Sequence, residues 1–133
     1  MKTMAIFIFM LISFFCLSQD TKYYVNDVIA YQGTHYTKED LDENQYYLLY
    51  EDTVLGDCGI EYVQTNVFYF NKKTHILSMY LTFDIITEMN YIVKHNNEKY
   101  VLVSPLIWTD YETKTMIQLE KIDKGCLTTV LFL

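Results

Sequence analysis

Three histidines and two widely separated cysteines are the side chains of this sequence best suited to chemistry. His35, His75 and His95 are its only imidazoles. If the chain reverses as a hairpin near residue 85, His75 and His95 fall nearly opposite each other, at one end of a shared face and within reach of a single ion. Zinc would need a third or fourth ligand there. His35, Asp84 and Glu98 exist in number, but no spacing brings them to that point, and strand-end histidines capping a core are the simpler reading. Asp40-x-Asp42-x-Asn44, with Glu51 at the twelfth position, matches part of a calcium loop. The match fails at the sixth position, where the sharp turn needs glycine and this chain has Gln45. A solvated acidic surface accounts for those residues. Nucleophilic catalysis has no footing, because beyond the leader only Ser78 and Ser104 remain and neither lies in a G-x-S-x-G elbow. No glycine-rich loop could cradle a phosphate. A pair of carboxylates for glycoside hydrolysis is defined in space rather than in sequence, and nothing singles one out. The chain is expected to be no enzyme and to carry no cofactor.

The compartment follows from the first residues, MKTMAIFIFMLISFFCLSQ. Lys2 supplies a positive start, Ala5 to Leu17 is an uncharged apolar run of 13 residues, and Ser18 precedes a cut ahead of Gln19. Such a run is shorter than the roughly 20 residues a spanning helix needs. Residues 1–18 therefore read as a signal peptide and 19–133 as one β domain, secreted or periplasmic, with no membrane span in the mature chain. Cys16 leaves with the signal; Phe15 before it is too bulky for a lipid-attachment box. Cys58 and Cys126 remain as an even pair in an oxidising compartment, which favours a disulfide, with two buried free thiols as the alternative. Closing a loop of nearly seventy residues would contribute about 4 kcal/mol in the chain-entropy picture.

All 17 acidic residues lie beyond the signal, against nine lysines, so the mature chain carries about −8. It has no arginine, the usual bidentate reader of phosphate and guanine. An acidic, arginine-free domain is a poor candidate for binding nucleic acid or anionic membranes. Thirteen tyrosines, one proline and four glycines favour half-buried strands over disorder. The tyrosines also suit a sticky outer surface.

The elements that must position these groups read as strands with regular turns. Candidate strands are Thr21 to Tyr31, Gln45 to Tyr50, Ile60 to Phe70, His75 to Phe83, Glu88 to His95, Tyr100 to Ser104, Leu106 onward past Pro105, Thr115 to Lys121 and the final CLTTVLFL. Thr37 with Asp40 resembles a cap and predicts one short helical turn near 38–44. The predicted fold is all-β: an antiparallel meander closing into a small barrel, or packing as a sandwich. Parity puts Phe68, Phe70, Leu77, Met79, Leu81, Phe83, Met89, Tyr91, Val93, Tyr100 and Leu102 on one apolar inner face. Ser78, Tyr80, Thr82 and Asp84 alternate with them, and the polar members of that set face water, unlike the lipid-facing side of an outer-membrane barrel.

The segments Tyr91-Ile92-Val93-Lys94, Lys99-Tyr100-Val101-Leu102-Val103 and Ile117 to Ile122 resemble the C-terminal half of small exported bacterial lipocalin-like β-barrel domains. The Gly-x-Trp opening of lipocalins has no counterpart, the single tryptophan being Trp108. The resemblance implies a small apolar ligand in the barrel mouth. Gln64, Asn66, Phe68, Phe70, Leu77, Met79, Tyr91 and Leu102 would then line the site, unless those side chains simply fill the barrel. The alternative is a monomeric protein-interaction module, an inhibitor or immunity-type factor working through its outer face. An enclosed cavity would favour the first; a filled interior with exposed tyrosines would favour the second.

Overall fold

The computed structural model describes residues 22–57 and 59–133; the expected signal peptide and Cys58 lie outside that range. The chain runs twice through one order, a helix followed by four antiparallel strands. The first pass is α1 (Val25–Gln32), β1 (Thr37–Asp40), β2 (Gln45–Leu55), β3 (Glu61–Asn71) and β4 (Leu77–Ile85). A 3-10 turn at Ile86–Glu88 leads into the second: α2 (Met89–Lys99), β5 (Val101–Ser104), β6 (Ile107–Asp110), β7 (Thr115–Ile122) and β8 (Gly125–Phe132). All eight strands form one antiparallel sheet in the order β1-β2-β3-β4-β8-β7-β6-β5. The sheet does not close on itself. Its two edges are β1 and β5, and the two halves meet at the β4–β8 seam.

Both helices replace expected strands. In α1 the Asp27 carboxylate accepts the Tyr24 N–H at 2.8 Å, which satisfies one orphan donor and places negative charge at the positive end. Val28 and Gln32, four apart, are the buried positions. Gly33, at φ 108, ends the helix with its N–H on the Ile29 carbonyl. In α2 the residues Met89, Ile92, Val93 and Asn96 face the core with helical spacing. Met89 and Val93 also fit an alternating pattern, which is why Glu88 to His95 reads as a strand in sequence. The Asn96-Asn97-Glu98-Lys99 stretch, expected as a turn, is the end of this helix. Residues 38–44 hold no helical turn: Thr37–Asp40 is β1, and the Asp42 carboxylate closes the reversal by accepting the Asn44 and Gln45 N–H groups at 2.7 and 2.9 Å.

The second correction concerns face parity in β4. Phe70 pairs with Leu77 but Tyr69 pairs with Met79, so Ser78 is an extra residue in a bulge. Leu77 stays beside Phe68 and Phe70. Beyond the bulge the alternation inverts, sending Tyr80, Thr82 and Asp84 to the core face and Met79, Leu81 and Phe83 to the other. The core therefore lies between one sheet face and the two helices, around Phe68, Phe70, Leu77, Tyr80, Trp108 and Val130. Pro105 sits in the tight β5–β6 reversal, with Leu106 at φ 60.

The two edges differ in kind. At β1 the charged Lys38, Glu39 and Asp40 discourage a further strand; at β5, Val101, Leu102 and Val103 are uncharged and half-exposed. Val103→Lys is expected to lower light scattering in concentrated solution while leaving the melting temperature within about one degree, since an exposed substitution costs under about 0.5 kcal/mol. At the seam, Gly125 pairs with Ile85 and Ile122. A Cβ there would lie 2.4 Å from the Asp84 carbonyl oxygen, a backbone atom that cannot swing away. Gly125→Ala should lower stability by about 1–3 kcal/mol, seen as a lower urea midpoint at unchanged slope.

Candidate functional site

The predicted ligand-lining residues do not meet around one space. Gln64, Asn66, Phe68, Phe70 and Leu77 are buried on the helix-covered face. Met79 lies on the opposite face, Tyr91 on α2, and Leu102 at the exposed β5 edge. Gln64 and Asn66 are occupied by one another and by their neighbours. The Asp84 carboxylate accepts from the Tyr62 hydroxyl and from Gln64 Nε2 at 2.8 Å. Gln64 Oε1 accepts from Asn66 Nδ2 at 3.1 Å, and Asn66 Oδ1 accepts from the Thr82 hydroxyl at 2.8 Å. This chain of polar groups ties β3 to β4 inside the core. Burial, reinforced by the bond to Asp84, holds the Tyr62 hydroxyl protonated far beyond its ordinary range.

Cys126 is buried, and in its reduced form its S–H points to the Ile85 carbonyl at 3.7 Å; Cys58, its expected partner, lies outside the described residues. Burial first, then the nearby Asp84 and Glu88 carboxylates, pushes its pKa up to about 12. Glu88 is itself 3 % exposed and accepts the Asp57 N–H at 2.8 Å, pinning the β2–β3 connection to the end of β4.

His75 and His95 are not cross-strand partners, because His95 is on α2. His75 Nδ1 shares a hydrogen bond with the Tyr46 hydroxyl at 2.7 Å. His95 stacks on Tyr91 and helps line an open cleft of about 410 Å³ with Asp57, Asn90, Lys94 and Glu98. Its walls are polar, and among the described residues no group of three His, Cys, Asp or Glu side chains is placed to hold a metal. Desolvation, then Lys99, lowers the His95 pKa, with Glu98 opposing. The unfolded chain therefore takes up this proton more readily. Stability contributed by neutral His95 is present above the unfolded value near 6.5 and is lost as pH falls towards the folded one. Urea titrations should show a weaker pH dependence between 6.5 and 5 in His95→Gln than in the parent.

The feature that sequence reasoning missed is the sheet face on which, among the described residues, no helix packs. Its side chains lie in three rows that cross the strands. One runs Tyr47, Tyr69, Met79, Leu131 and Met116. The next runs Leu49, Val67, Leu81, Thr129 and Gln118. The third runs Glu51, Thr65, Phe83, Leu127 and Glu120. Val67, on the middle row, is only 6 % exposed, yet it belongs to no part of the helix-covered core. Leu49, Met79, Leu81, Phe83, Leu127 and Leu131 are half-buried. Tyr47 and Tyr69 pack with ring centroids 5.6 Å apart at one corner, where the Tyr47 hydroxyl donates to Glu39 at 2.8 Å. A contiguous apolar surface of this kind, rimmed by polar groups, is uncommon on a chain that works alone. Its signature in the sequence is β4 itself: Leu77 to Phe83 carries apolar or aromatic side chains on both parities, Leu77 and Tyr80 on one face and Met79, Leu81 and Phe83 on the other.

Among the described residues no helix is long and apolar enough to cross a membrane. No protein-family model, no curated protein and no solved structure matches this chain.

Proposed function

We propose that this chain is an exported, non-enzymatic protein-interaction module that docks its partner on the uncovered face of the sheet. The observation that carries the reading is the half-buried apolar centre of that face, Leu81, Phe83 and Leu127, over which no described helix packs while α1 and α2 lie on the other side. Of the groups expected to receive an apolar ligand, Phe68, Phe70 and Leu77 are core side chains under those helices, Gln64 and Asn66 belong to a hydrogen-bond chain, and Met79, Tyr91 and Leu102 lie apart from them. That arrangement favours the interaction module over the lipocalin-like container.

The test uses a photoreactive amino acid placed either at Thr129, in the middle row, or at Glu98 on α2. In the exported fraction of the producing cell, Thr129 should yield a discrete adduct and Glu98 none. Equal adducts from both positions, or none from Thr129, would overturn the reading. Export itself is checked by an intact mass that begins at Gln19.

Export also supports a Cys58–Cys126 disulfide in the secreted chain. A mass two hydrogens lighter before reduction is the expected result.

A further inference from the structure

The charges around the uncovered face are of one sign, and the geometry points to a partner that presents an apolar anchor flanked by lysines or arginines. This rests on the docking reading and adds the partner's chemistry. Every charged strand residue on the face is a glutamate: Glu39 in β1, Glu51 in β2, Glu61 in β3 and Glu120 in β7. No lysine shares it. Lys38 lies on the other side of the sheet with its ammonium 4.7 Å from the centre of the Tyr46 ring, and Lys121 pairs across from Cys126 on the core side. Lys94 and Lys99 are on α2, Lys72 reaches Asp40 at 3.3 Å from a turn, and the remaining described lysines precede α1 or lie in turns. Among the described residues no cation is paired with Glu51, Glu61 or Glu120.

The placement is as telling as the sign. Glu51 and Glu120 occupy the two ends of a single cross-strand row, with Phe83 and Leu127 between them. Four strand spacings separate them, about 19 Å along the sheet. A partner whose apolar side chains meet Phe83 and Leu127 therefore brings its flanking positions against a carboxylate on either side. Cations there gain attraction and faster encounter; anions are repelled. The same pattern argues against a second copy of this chain as occupant. Two such faces packed together would set glutamates against glutamates, with no lysine on either to offset them.

The experiment uses the mature chain and two synthetic twelve-residue probes, one alternating leucine with lysine and one alternating leucine with glutamate. Fluorescence anisotropy should show the lysine peptide bound and the glutamate peptide not. The double variant Glu51→Lys/Glu120→Lys should weaken lysine-peptide binding at least about threefold, a rim-charge effect. Glu43→Lys/Glu98→Lys, the same charge change away from the face, should leave it within a factor of two. Overall acidity alone would make the two variants behave alike, and that result overturns the proposal. Equal affinity for both peptides overturns the cation preference while leaving the docking face intact; Leu81→Asp would then weaken both. Binding of neither peptide to the parent overturns the proposal outright. Sedimentation of the free chain as a stable dimer through this face would assign it to a second copy instead.

Discussion

Replacing Trp108 by alanine is expected to cost about 3–5 kcal/mol, the range for removing a fully enclosed tryptophan. The side chain is 0 % exposed and stands between Leu102 and Ile117 in the sheet. Its indole N–H donates to Asn97 Oδ1 at 2.9 Å, which fastens the last turn of α2 to β6. Alanine would therefore open a cavity and release the helix end together. For a domain of this size the loss lowers the melting temperature by at least about 10 °C. Far-ultraviolet circular dichroism is the measurement to use, because the only tryptophan fluorophore disappears with the substitution. Trp108→Phe keeps much of the volume and loses the hydrogen bond, so it should cost distinctly less. Equal losses for the two variants would mean that the Asn97 contact, rather than enclosure, dominates.

Asn66→Ala should cost about 2–5 kcal/mol. The amide is 1 % exposed and serves two partners at once, donating to Gln64 and accepting from Thr82. Truncation leaves the Gln64 carbonyl and the Thr82 hydroxyl unsatisfied away from water, at about 1–3 kcal/mol for each orphan, in addition to the vacated volume. Thr82→Val alone removes one end of the pair and keeps its shape. The double variant should then be less destabilised than the sum of the singles, with a coupling of about 0.5–3 kcal/mol in urea melts. Simple additivity would show that the two groups do not share a bond.

The reversals joining β3 to β4 and β7 to β8 are legible because turn residues bracket them, whereas the β4–β8 pairing leaves no local mark. Asn71 to Thr74 and Asp123-Lys124 stand where reversals occur. What failed was parity and period. A bulged Ser78 leaves no compositional mark, since Tyr80 and Thr82 on one face and Leu81 and Phe83 on the other are all credible core residues. A slip of one position then put Met79, Leu81 and Phe83 on the opposite face from the one predicted. The helix α2 escapes a strand reading only through Ile92, which packs on the core beside Met89 and Val93, two residues that satisfy both periods at once. In α1, four β-favouring residues (Tyr23, Tyr24, Val25 and Val28) outweighed the single capping signal from Asp27. Of the candidate site, only the acidic, tyrosine-rich character was visible beforehand; the grouping of glutamates on one face required the register.

The seam between β4 and β8 has a kinetic consequence. Every other strand contact in the sheet joins neighbours along the chain, so each half can zip up from its own reversals. The Ile85–Gly125 and Met79–Leu131 pairs span 40 and 52 residues, and their closure is the step that carries the loop entropy. Substitutions in β8 that weaken the seam should slow refolding, whereas those in β1 should mainly hasten unfolding.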